Sequence, residues 1–127
     1  MTTLTTKSGA VITFVPSKID VVADHNDSTG EAATCVYGIP PIMLMIDETV
    51  QEFMQRLRIE AHFVQLTRPN GWPVWIRASS VSAIRSPVPG EYPAAVKTVI
   101  STDSLTQAVR ETLAEATDAL NARGGEL

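Results

Sequence analysis

Among its 127 residues the sequence holds a single cysteine, Cys35. One thiol closes no disulfide within a chain, which excludes a disulfide-stapled scaffold and fits a reducing compartment. Long apolar runs are missing too. The longest, Ile39 to Ile46, holds two prolines and is far too short to span a bilayer. The opening residues, Met1 to Lys7, lack the charged and apolar halves of a secretion signal, so a cytoplasmic location without membrane contact is expected. With 7 glycines and 8 prolines the chain has too few breakers for a low-complexity segment. Catalytic fingerprints are lacking as well: no nucleophile elbow, phosphate loop, dinucleotide-binding turn or zinc-protease helix is present. The expectation is a non-enzymatic protein without cofactor.

What is present begins with an uneven charge. The net charge is −4. Residues 1–55 carry two lysines against seven acids, and residues 86–127 carry three basic residues against six acids. Between them, Arg56, Arg58, Arg68, Arg77 and Arg85 face only Glu60. Arginine's planar fork suits phosphates and carboxylates. These arginines either pair with acids of the flanking segments or form an anion-contacting surface. The acidic total disfavours duplex nucleic acid as a partner.

The chain also repeats itself. Residues 4–22 align without a gap on residues 66–84 at an offset of 62. Leu4/Leu66, Thr5/Thr67, Gly9/Gly71 and Ser17/Ser79 are identical. Ile12/Val74, Phe14/Ile76, Ile19/Val81 and Val22/Ile84 keep their apolar character. Alternation and β-rich composition predict strands over 10–15, 19–23, 33–37, 42–46, 63–67, 73–77, 81–85 and 95–100. Ser8-Gly9 and Asn70-Gly71 mark the turns between the first strands of each copy. Helical spacing puts Val50, Phe53, Met54 and Leu57 on one face of a helix capped by Asp47, with Arg56 placed to pair with Glu52. A second helix is expected from Asp103 or Ser104, with Leu105, Ala108, Val109, Leu113, Ala116 and Leu120 on its face. On that reading the helices stand at an offset of 55, and about seven residues and one strand are missing from the second copy. The expected fold is α+β: two tandem antiparallel ββ(β)βα repeats, 1–60 and 61–127, that share a core or join edges.

The segment Leu66-Thr67-Arg68-Pro69-Asn70-Gly71, followed by an alternating strand and Val81-Ser82-Ala83-Ile84, resembles the small FlbD-like flagellar and swarming-motility proteins. Ile46-Asp47-Glu48-Thr49 and Ser101-Thr102-Asp103-Ser104 stand in for that family's entry to its last helix. The first copy has Thr6 and Ser8 where the family has arginine and asparagine. The resemblance implies a non-enzymatic regulatory or assembly role in a bacterium or phage.

Few residues carry candidate chemistry. Cys35, inside an expected strand, reads as a buried inert thiol. Asp24-His25-Asn26-Asp27 could hold a hard cation, yet it lacks the tight-turn glycine and distal glutamate of a calcium loop, so no metal is expected. The most distinctive group is Arg68, Asn70, Trp72, Trp75 and Arg77. Both tryptophans lie beside one turn, and alternation places Trp75 and Arg77 opposite the apolar pair Val74 and Ile76. An aromatic residue among arginines suits a contact surface for a protein partner, a small anionic ligand or a second copy. The expectation is a homo-oligomeric binding protein. The alternative is a phage anti-defence protein that sequesters a nucleotide signal at subunit boundaries.

Overall fold

The computed structural model describes residues 2–26, 32–39 and 43–127. Among the described residues ten strands and two helices follow one another in a recurring order. Strands β1 (Thr3–Thr5) and β2 (Val11–Thr13) lead through a 3-10 turn at Pro16–Lys18 to β3 (Val21–Asn26), β4 (Ala32–Tyr37), β5 (Met43–Ile46) and helix α1 (Val50–Leu57). Strands β6 (Phe63–Thr67) and β7 (Pro73–Arg77) then lead through a 3-10 turn at Ala78–Ser80 to β8 (Val81–Arg85), β9 (Thr98–Thr102), β10 (Thr106–Val109) and helix α2 (Leu113–Asn121). The chain thus belongs to the α+β class.

The helix starts differ from the sequence expectation. Thr49, not Asp47, caps α1, its hydroxyl accepting from the Glu52 N–H at 3.1 Å. Thr112 caps α2, and Glu115 reaches back to the Thr112 N–H at 3.0 Å to complete a capping box. The segment expected to open the second helix is instead the end of β9, a turn and β10. Ala108 and Val109 lie in a strand, paired with Val99 and Thr98. Their spacing continued the helical period of α2, but the competing ladder with β9 satisfies their backbone groups. Helix entry therefore runs through Val109-Arg110-Glu111-Thr112 rather than Ser101–Ser104, 63 residues after Ile46-Asp47-Glu48-Thr49. No strand is missing from the second half.

The strands form a five-stranded antiparallel sheet in the order β5-β4-β3-β7-β6, a three-stranded sheet β10-β9-β8 and the hairpin β1-β2. The halves meet where β3 pairs with β7, Val22 lying opposite Trp75. Edge joining, rather than one common core, is what the sheet alternation produces. Val22 and Trp75 point into a cluster with Leu4, Val36, Ile46 and Phe53. Val21, Ala23, Val74 and Ile76 point the other way, into a cluster with Val64, Leu66, Ile100 and Leu120. Each helix seals one cluster, α1 with Val50, Phe53 and Met54, and α2 with Ala116 and Leu120. Small bonds close each half around its helix. Thr6 bridges to Ile46, and the Arg110 N–H donates to the Thr67 carbonyl at 2.8 Å.

One glycine is dictated by this packing. Gly38 ends β4 at φ 109°, and a Cβ there would strike the Lys18 carbonyl.

Candidate functional site

The turn between β6 and β7 is built by its own residues. The Arg68 N–H donates to the Trp72 carbonyl at 2.7 Å, and the Gly71 N–H returns to the Arg68 carbonyl at 2.9 Å. The Asn70 side-chain oxygen accepts from the Trp72 N–H at 3.0 Å. Gly71 at φ 91° supplies the left-handed position that this turn requires. The result projects Trp72 from the surface, 36% exposed.

Arg68 lies beneath that indole, its guanidinium carbon 5.5 Å from the ring centroid. Its Nη2 donates to the Asp24 carbonyl at 2.7 Å. Its Nε is buried and has no hydrogen-bond partner among the described residues. A second arginine joins from the far half of the chain. Arg110 donates through Nε and Nη2 to the Pro69 carbonyl, at 3.1 and 2.6 Å. Beside it the Glu111 carboxylate accepts from the Thr67 N–H and hydroxyl, both at 2.9 Å. Two guanidinium groups, an indole and one fully engaged carboxylate therefore form a corner at the β6–β7 turn.

The other two expected site residues go elsewhere. Arg77 is buried at 7% exposure. Its Nε donates to the Ile19 carbonyl at 2.6 Å and its Nη2 to the Pro16 carbonyl at 2.9 Å, while its charge rests 4.8 Å from the Phe63 ring centroid. Burial pulls its pKa below the usual arginine value, and Asp20 opposes that shift. This guanidinium ties β7 to the 3-10 turn of the first half.

Trp75 is half-buried and opens into a cleft of about 410 Å³ under α1. Met54, Glu60, Phe63, Gln65 and Arg123 also line it. The Arg123 guanidinium donates to the Ala61 carbonyl at 3.3 Å, near the cleft mouth. The five residues singled out in the sequence thus divide among an exposed corner, a cleft and a buried tie. Arg110 and Arg123 were not singled out, because the charge pattern drew attention only to the central segment.

Two central arginines do pair with flanking acids. Arg56 holds Glu48 at 2.7 and 2.9 Å, not Glu52, whose carboxylate turns back to the Thr49 hydroxyl at 3.1 Å. Arg85 holds Glu91 at 2.8 and 2.9 Å. Cys35 is buried, and burial raises its thiol pKa while Arg68 opposes the rise. Asp24, His25 and Asn26 continue β3, and Asp27 lies outside the described residues. Among the described residues no group of three or more His, Cys, Asp or Glu could hold a metal ion. Among the described residues no helix is long and apolar enough to cross a membrane.

The chain matches no protein-family model. Comparison with curated proteins gives no significant match, and comparison with solved structures gives none either.

Proposed function

We propose that the chain is a non-enzymatic binding or assembly protein of regulatory type, cytoplasmic, built from two tandem copies of one FlbD-like unit. The recurring element order and the two Glu-Thr helix entries support the two-unit reading. The binding surface is the Arg68–Trp72 corner. The observation that carries it is the pairing of the exposed Trp72 indole with the Arg68 guanidinium. An exposed indole beside a guanidinium is the kind of anchor from which binding surfaces are built. An acidic side chain or a phosphate suits the arginines of this corner, with the indole supplying apolar contact.

The test compares wild-type bait with Arg68→Ala and Trp72→Ala in capture from a bacterial lysate, alongside thermal melts of all three. A protein retained by wild type and lost from both variants at unchanged melting temperature supports the reading. Identical captured sets overturn it.

A second reading, nucleotide sequestration, draws on the cleft under α1. Its volume of about 410 Å³ lies in the range of small-molecule sites, and Trp75 and Arg123 offer stacking and charge. Thermal shift with a panel of nucleotides, cyclic ones included, decides it. A shift abolished by Trp75→Ala favours this reading, and no shift at millimolar ligand removes it.

A further inference from the structure

The halves of this chain are joined by one edge-to-edge junction, and the matching edges for a second such junction stand open. In the junction that forms, β3 and β7 run antiparallel with Val21 opposite Ile76, Val22 opposite Trp75 and Ala23 opposite Val74. The Arg77 N–H donates to the Asp20 carbonyl at 2.8 Å in the same register. Val21, Val22, Val74 and Ile76 are fully buried there.

Applying the offset of 62 makes β8 the counterpart of β3, and β2 the counterpart of β7. Among the described residues β2 pairs only with β1, and β8 only with β9. The counterparts of the fully buried valines and isoleucine are more open here. Thr13 and Ala83 are exposed, and Ile12, Phe14 and Ile84 are only half-buried. Val11 and Val15, on and just after β2, are 69% and 58% exposed. Strand β2 also lacks the usual protections of a free edge, with no charged residue, no proline and no bulge. Its hydrogen-bonding groups point the right way. The Phe14 N–H donates inward to the Thr2 carbonyl at 3.0 Å, so by alternation the N–H and carbonyl of Thr13 face outward.

We propose that β2 and β8 are a self-association surface, and that β2 of one copy pairs antiparallel with β8 of a second copy in the register of the β3–β7 junction. Thr13 then lies opposite Ile84 of the other copy, and Phe14 opposite its Ala83. The occupant is another copy because the chain already contains this junction once, between the same kinds of edge. Within the chain the two open strands do not meet, lying at the edges of different sheets. Two copies that exchange both edges close as a symmetric pair, leaving no open strand of this type. The proposal rests on the two-unit reading but not on the Arg68–Trp72 corner, whose variants keep the assembled mass whether or not that corner binds a partner.

Light scattering after size exclusion, on wild type and on Thr13→Pro, tests it. Proline at 13 removes the outward N–H and leaves the bonds to β1 intact. The expected result is a wild-type particle of about twice the 13.7 kDa chain mass, and a Thr13→Pro monomer with unchanged circular dichroism. A wild-type monomer at every concentration, or a folded Thr13→Pro variant that keeps the doubled mass, overturns the proposal. Hydrogen exchange on wild type covers the case in which the variant does not fold. Thr13 and Ile84 amides should exchange more slowly as concentration rises. Fast exchange at all concentrations overturns the proposal, as does protection of these amides in a particle of single-chain mass, which means closure within one chain.

Discussion

The Thr98 hydroxyl, fully buried in β9, donates to the Glu111 carbonyl just before α2 at 2.7 Å. Thr34 in β4, also fully buried, makes the same bond to the Glu48 carbonyl just before α1 at 2.6 Å. In each half a strand threonine thus anchors the last residue before a threonine cap. Replacing Thr98 or Thr34 with valine preserves shape and strands a carbonyl. Each change should lower unfolding free energy by about 1–2 kcal/mol, read from urea midpoints at an unchanged slope.

The caps themselves give a second expectation. Thr49→Ala and Thr112→Ala should each cost about 1 kcal/mol. Because the Glu115 carboxylate also accepts from the Thr112 backbone N–H, a bond that alanine keeps, the loss of helical signal should be no larger for Thr112→Ala than for Thr49→Ala.

Acid should act through the same cap. Glu115 titrates below the usual carboxylate range, chiefly because the Thr112 N–H donates to it and then through the Thr112 side chain. A carboxylate lowered on folding contributes stability that is full above its unfolded pKa and disappears as pH falls through the folded one. The carboxyl titration followed by NMR should show Glu115 below a free glutamate, and Thr112→Ala should return it upward.

Arg77 and the exposed corner should respond in opposite ways. Arg77→Ala leaves the Ile19 and Pro16 carbonyls without their donor and opens space beside Phe63. It should cost about 2–4 kcal/mol, with Arg77→Lys recovering little because lysine lacks the fork. Trp72→Ala should leave the melting temperature nearly unchanged.

Gly38→Ala should destabilise by about 2 kcal/mol or more, since it combines a positive φ with a collision at the Lys18 carbonyl. Gly9→Ala, with nothing within 4 Å of the added carbon, meets only the backbone strain. Comparing their melting temperatures separates the two effects.

Features that depend on near neighbours were legible in the residues alone. The strands at 63–67, 73–77 and 81–85 stand where alternation put them, and Asn70-Gly71 turns because only that pairing of side chain and φ suits a tight reversal. The core face of α1 at Val50, Phe53 and Met54 follows from spacing alone. Even the helix starts were written in the chain, as Glu-Thr-x-x-Glu at 48–52 and again at 111–115, but Asp47 competed as a cap for the first and the apolar spacing from Leu105 onward hid the second. The remaining features arose from contacts between distant segments. Whether Thr106–Val109 forms a strand or a helical turn depended on β9 offering a ladder. Arg77 turned inward because two carbonyls 58 and 61 residues away converge on it. Trp75 turned toward the first core because β3 and β7 pair across the halves. A local period shows which side chains share a face. What lies against that face is settled by strands distant in the chain, where burial and backbone pairing outweigh local preference.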